Sequence, residues 1–230
     1  MEEKEYSGFL LVDKPTNWTS HDVVGYLRGV TKIKKIGHAG TLDPFATGLL
    51  IVAVKREATK RIDEFKNLDK TYITKIKLGA ETDTYDKTGK ITKKIKVEMK
   101  PTKKEVEKVL KEFLGEQNQL PPMYSAKKVQ GKKLYELARE GIEIKRTPHK
   151  ITIKNIALKK YKYPFLTIEV NTTTGTYIRT LAFDIGKKLK TGAYCEELRR
   201  LAIGKYKVKK AKKIKSLKRK NWFKKLFQIS

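Results

Sequence analysis

Residues 37–60 read GHAGTLDPFATGLLIVAVKREATK, and the two halves of this stretch ask for different backbones. The second half holds an unbroken apolar run, LLIVAV at 49–54. It is short and rich in β-branched residues, which predicts a strand buried on both faces rather than a helix. The first half carries glycines at 37, 40 and 48. Glycine accepts backbone angles that other residues resist, so this segment can follow a sharp, fixed path. Asp43 sits in its middle, followed by Pro44, which biases Asp43 towards an extended conformation. A carboxylate is thus presented on a stiff loop that feeds a buried strand, and reactive groups commonly occupy such scaffold-positioned loops. An ordinary Asp is ionised at neutral pH. It can serve as nucleophile, base or metal ligand, or simply cap a turn.

Charge narrows the partner. The chain of 230 residues has 54 Lys and Arg against 25 Asp and Glu, a formal net charge of +29. A chain this basic meets a polyanion, and nucleic acid leads the candidates. A lysine-rich proteome would raise Lys and Glu together and does not account for such an excess of Lys. The single cysteine, Cys195, excludes an internal disulfide framework and a Cys-based zinc site. His21, His38 and His149 are scattered, which argues against a His metal cluster. There is no P-loop and no GxGxxG. No metal and no cofactor is expected. No apolar segment approaches membrane-spanning length, and the opening MEEKEYSG lacks a signal-peptide core. The expectation is a cytoplasmic protein.

Along the chain, FLLV at 9–12 predicts a short buried strand that ends at Asp13, Lys14 and Pro15. A helix follows from Thr19, with capping-box spacing to Asp22 and an apolar face of Val23, Val24, Leu27 and Val30. Residues 71–78 alternate, with Tyr72, Thr74, Ile76 and Leu78 on one face. The polar turn TDTYDKTG at 82–89 lacks the sixth-position Gly and twelfth-position Glu of a calcium loop. Thr102 and Glu105 open a helix that Gly115 ends. Residues 151–156 and 165–170 are two more alternating strands. Tyr177 and Arg179 are predicted to share one face of a strand, with Arg179 otherwise a surface charge.

Taken together, GHxGTLDPxATG with its strand and ATK, VDKP at 12–15, KTY at 70–72 and TDTYDKTG form a distinctive set. So do PPMYSAKK at 121–128, GKKLYELAREG at 131–141, GTYIRT at 175–180 and LRR at 198–200 with Gly204. This set closely resembles the TruB family, the tRNA pseudouridine-55 synthases, over most of the chain. Its departures are few: Ala39 stands where Thr is usual, and Lys55, Arg56 and Glu57 precede ATK. The resemblance implies an α+β fold, a mixed and mostly antiparallel sheet flanked by helices. It implies Asp43 as the catalytic residue, acting as nucleophile or as base on the sugar, and Arg179 as the partner of its carboxylate. Tyr72 would stack on an everted uracil, Tyr177 and Leu198 would line the same pocket, and His38 would contact the RNA near the flipped base. Lys14, Lys60, Lys127, Arg199 and Arg200 are the candidate RNA-contacting cations. The implied substrate is the T-arm stem-loop of tRNA, met by a monomer. Two alternatives stay open: a non-catalytic tRNA-binding or folding protein, and a synthase acting on another RNA.

From residue 198 to 230 there is no acid, while 205–225 carries Lys or Arg at twelve positions and ends near Trp222, Phe223, Leu226 and Phe227. Three readings compete for this segment: a helix on RNA, an amphipathic helix on a membrane, or a helix packed back on the domain. The expected organisation is a catalytic domain over 1–204 and a basic tail over 205–230. Many TruB proteins carry an RNA-binding PUA domain at this end, and here it is expected to be absent or a remnant.

Overall fold

The structure is a computed structural model that describes residues 6–125, 128, 129, 132, 133, 138, 142, 144 and 146–229. Its first elements are β1 (Gly8–Lys14), α1 (Ser20–Thr31), β2 (Ile36–Ala39), β3 (Thr47–Val54), α2 (Lys55–Lys60), α3 (Asp63–Lys66), β4 (Lys70–Leu78), β5 (Ala80–Thr82) and β6 (Ile91–Lys94). Then come α4 (Lys103–Lys111), β7 (Gly115–Gln119), β8 (Lys128–Val129), β9 (Lys132–Lys133), β10 (His149–Lys162) and β11 (Phe165–Thr172). Helix α5 (Ile178–Lys188), β12 (Ala193–Ile203), β13 (Tyr206–Lys207) and β14 (Lys212–Lys213) complete the order. Of the motif at 131–141 only residues 132, 133 and 138 are described, the first two in β9; the rest lies outside the described residues.

Two compact units result: Met1–Tyr72 with Arg199–Ser230, and Ile73–Leu198. In the first, β3 is central. It pairs antiparallel with β1 and β2 and parallel with the end of β12. Its alternate residues feed two cores. Leu50, Val52 and Val54 join Val23, Val24 and Leu27 of α1, while Leu49, Ile51 and Ala53 join Phe9, Ala58, Phe65 and Ile203. Burial on both faces is why this run is apolar without alternation. Thr19 accepts from the Asp22 amide at 3.0 Å and donates its own amide to Asp22 at 2.7 Å, closing the capping box of α1.

The second unit is also a helix-backed sheet. Strand β10 pairs antiparallel with both β11 and β7, and β5 with β6. Helix α4 opens with the expected Thr102–Glu105 box. The sheet content is thus mixed and mostly antiparallel, and with its helices the class is α+β.

The segment 205–230 departs from expectation. Among the described residues it forms no α-helix. Strand β14 pairs parallel with β1, short 3₁₀ turns cover Ile214–Ser216 and Trp222–Lys225, and Phe227 bridges Phe9. Ile214, Leu217 and Trp222 are buried in the α1 core, and the Tyr26 hydroxyl donates to the Leu217 carbonyl at 3.3 Å. Its apolar residues lack the spacing for one helical stripe, so each fills a separate gap. Residues 205–229 are therefore part of the first unit rather than an appendage, and the compact division does not fall at 204.

Candidate active site

The Asp43 loop is fixed by its backbone. Ala46 donates to the Asp43 carbonyl at 3.1 Å, closing a turn with Pro44 in the position whose φ proline presets. Ser20, at the start of α1, both accepts from the Leu42 amide at 2.9 Å and donates to the Leu42 carbonyl at 3.3 Å. Thr16 donates to the Phe45 carbonyl at 3.2 Å. Leu42 and Phe45 are buried and Asp43 between them is half-buried, so the anchors turn inward and leave the carboxylate at the surface of a rigid loop.

Two buried cations complete this support. The Lys14 ammonium, fully buried, donates to the carbonyls of Pro15 at 2.9 Å, Trp18 at 2.5 Å and Pro44 at 3.2 Å. Burial lowers its pKa to about 8, against a raising pull from the Asp43 charge and a further lowering push from Arg200. It remains protonated at neutral pH. Arg200, 1% exposed, donates through Nε to the Leu49 carbonyl at 2.7 Å and through Nη2 to the Gly40 carbonyl at 2.9 Å. These carbonyls lie on either side of the loop, so one guanidinium ties its two feet together. Gly48 makes room for this: its φ is +106°, and a Cβ there would sit 2.3 Å from the Arg200 carbonyl oxygen. The expectation of Lys14 and Arg200 as RNA-facing cations is therefore corrected. Both direct their donors at backbone carbonyls, Arg200 at Gly40 and Leu49 and Lys14 at Pro15, Trp18 and Pro44, because a buried charge must be hydrogen-bonded to be tolerated.

The other candidates of the first unit differ in role. His38 lies on β2, and its Nδ1 is buried with no hydrogen-bond partner among the described residues. Burial, reinforced by Arg200, lowers its pKa to about 4, so the ring is neutral at neutral pH. Tyr72, on β4, is half-buried, and Lys60, at the end of α2, is exposed. Arg199 pairs bidentately with Asp13, at 3.0 and 2.7 Å, and donates to Thr47 at 3.3 Å. It links β12, β1 and β3, and its side chain remains 38% exposed. Lys127 lies outside the described residues.

In the second unit, Arg179 is not on a strand. Tyr177 is the extended N-cap residue of α5, and Arg179 is in that helix's first turn, 3% exposed. The two therefore do not share a strand face. Arg179 donates through Nη1 to the Thr84 carbonyl and through Nη2 to the Tyr124 carbonyl, both at 2.8 Å. Its Nη1 also faces the Asp86 carboxylate at 3.4 Å. Asp86, 3% exposed, further accepts from the Thr84 hydroxyl at 2.9 Å and the Thr88 amide at 2.9 Å. Gln119 holds Tyr177 from both sides of its peptide, donating to its carbonyl at 3.0 Å and accepting from its amide at 2.8 Å. Leu198 is 6% exposed, on β12.

Asp86, Gln119 and Ser20 are positioning residues that sequence reasoning missed. Asp86 had a signal in the acid-rich TDTYDKTG turn, where an Asp serving nearby backbone is common. A cavity of about 440 Å³ beside Tyr85, Tyr124 and Phe183 includes none of the predicted site residues in its lining. Among the described residues no cluster of three or more His, Cys, Asp or Glu could hold a metal, and no helix is long and apolar enough to cross a membrane.

Comparison with known proteins gives the family. Residues 28–178 match the TruB family pseudouridylate synthase N-terminal domain, and 179–226 match the tRNA pseudouridylate synthase B C-terminal domain. The chain is 48% identical over 201 residues to tRNA pseudouridine synthase B of Chlamydia trachomatis serovar L2, covering 87% of this chain and 82% of that one. It is 43% identical over 215 residues to the protein of the same name from Clostridium tetani, covering 94% and 74%. Among solved structures, a Cbf5–Nop10–Gar1 complex contains a similar chain, with a TM-score of 0.70 at 28% identity. That match covers 90% of this chain and 52% of the solved chain, so this protein spans about half its length. The residues around Asp43, the α+β fold and these matches together place the chain in the TruB family of pseudouridylate synthases.

Proposed function

We propose that the chain isomerises a uridine of tRNA to pseudouridine, at position 55 in the T-loop, through Asp43. The observation that carries this is the Asp43 loop itself: its backbone, within the family's central motif, is held by Lys14, Ser20 and Arg200. The relatives' shared name supplies the substrate class. In the reaction the nucleotide leaves its stack, the C1′–N1 bond breaks, the base rotates, and C5 bonds to C1′. C5 loses its proton and N1 gains one. Asp43 acts on the sugar, as nucleophile at C1′ or as base, with Arg179 orienting its carboxylate. Tyr72 stacks on the uracil, and Tyr177 and Leu198 keep water from trapping the opened sugar. His38 contacts RNA near the flipped base as a neutral ring. Lys60 and Lys127 are the candidate phosphate-contacting cations. The chain works as a monomer in the cytoplasm on the T-arm stem-loop.

The test is Asp43→Asn, assayed on an unmodified tRNA transcript. Pseudouridine formation is expected to vanish while tRNA binding survives. Product formed at the wild-type rate would overturn the assignment. Mapping pseudouridines in RNA from a deletion strain checks the position.

A further inference from the structure

Residues 205–225 have no place in the chemistry above, yet they concentrate charge. Twelve of these twenty-one residues are Lys or Arg, and no Asp or Glu occurs from 198 to 230. All twelve are exposed. None makes an ion pair with a described residue, whereas Asp13 and Glu64 of the same unit are engaged by Arg199 and Arg61. The segment is also held in place. Its apolar side chains Ile214, Leu217 and Trp222 are sunk in the α1 core, and Phe227 bridges Phe9. The cations thus stand on a fixed surface rather than a loose tail, and repel one another unless an anion lies on them.

Position says which anion. In the β1–β3 register Lys14 lies opposite Gly48 and Asp13 opposite Leu49, so the end of β1 meets the start of β3, where the Asp43 loop enters. Strand β14 aligns Lys212 with Val12 and Lys213 with Asp13. It therefore stands at the same end of the sheet, two strands from β3, or roughly 10 Å at ordinary strand spacing. We propose that residues 205–225 form a phosphate-binding surface for duplex RNA, gripping backbone that continues away from the nucleotide at Asp43. Only the choice of RNA as the polyanion rests on the functional reading above.

Neither edge protection nor membrane binding accounts for the twelve cations as well. Lysines on an edge strand deter strand-to-strand association, but only Lys212 and Lys213 of the twelve are on β14. A membrane-surface segment needs an exposed apolar face, and none of the large exposed apolar residues lies in 205–225.

The experiment compares the full-length wild type with K212Q/K213Q/K215Q and with a control, K104Q/K108Q/K111Q, on helix α4. The probe is a blunt RNA duplex with no loop, titrated at several salt concentrations. Each lost phosphate contact flattens the slope of log affinity against log salt by ~0.7–0.9. The first variant should therefore lower the slope by roughly 2 to 3 and weaken binding, with an unchanged thermal midpoint, while the control keeps the wild-type slope. An unchanged slope in the first variant, or equal flattening in the control, overturns the proposal. So does wild-type binding to phosphatidylserine vesicles that the first variant loses while its duplex affinity stays intact. Failure to make pseudouridine would sink the functional reading but leaves this binding result legible by itself.

Discussion

Lys14 and Arg200 show how the loop that carries Asp43 is held through its backbone. Both cations direct their donors at backbone carbonyls, which costs solvation and returns rigidity. His38 provides a direct check on this environment. Its NMR titration should have a midpoint near the depressed value of about 4, and a midpoint at the ordinary 6.5 would show the ring to be solvated. Asp86 offers a second check. It shares a buried ion pair with Arg179, and removing one partner of such a pair typically costs ~3–5 kcal/mol. Asp86→Ala should lower unfolding stability by about that much in urea titration, whereas exposed Glu98→Ala should not. The residue scale is also where sequence is hardest to read. Asp43 is legible because its motif is local. The fates of Lys14 and Arg200 are not, because a cation bonded to carbonyls and a cation awaiting phosphate look alike in one dimension. The helix holding Arg179 does have a signal, the apolar spacing of Ile178, Leu181, Ala182 and Ile185, but the glycine turn before it and the β-branched residues around it suit a strand equally well.

Strand β3 is the element on which the others depend, being buried on both faces and paired along both edges. Its entry is its weak point. Gly48→Ala would place a Cβ at 2.3 Å from the Arg200 carbonyl oxygen and 2.7 Å from its amide nitrogen, at a φ of +106°. Left-handed strain alone costs ~1–3 kcal/mol, and the overlap forces β12 away, dragging Arg200 off the loop. Stability should fall by ~2 kcal/mol or more, and kcat should fall more than KM rises, because the loop rather than the RNA surface is disturbed. Wild-type kinetics in this variant would mean the clamp is dispensable. Elements with local grammar are readable: the Thr19 and Thr102 capping boxes and the unbroken apolar run of β3 all form as expected. The C-terminal segment is not, since dense lysine ending in aromatics imitates an amphipathic helix, and only the tertiary gaps around α1 decide otherwise.

For the whole molecule, burial of lysines sets a pH signature. Lys14 and Lys70 both have pKa values lowered to about 8, each chiefly by burial. Between pH 8 and about 10.4 the unfolded chain binds more protons than the folded one, so stability should rise with pH across that window. Urea titrations at pH 8 and 10 test this, and Lys14→Met with Lys70→Met should flatten the trend. Removing residues 205–230 should not merely discard charge. It strips Ile214, Leu217 and Trp222 from a core and should abolish cooperative unfolding of the first unit by calorimetry. The interleaving of the first unit from both chain regions has a last consequence for its birth. Residues 73–198 are contiguous and can collapse while translation proceeds, but β1 waits for β14, and the Asp43 loop waits for Arg200. At ~5–20 residues per second, the nascent chain spends many seconds with the Asp43 loop lacking its clamp, which closes only once Arg200 has been made and docked.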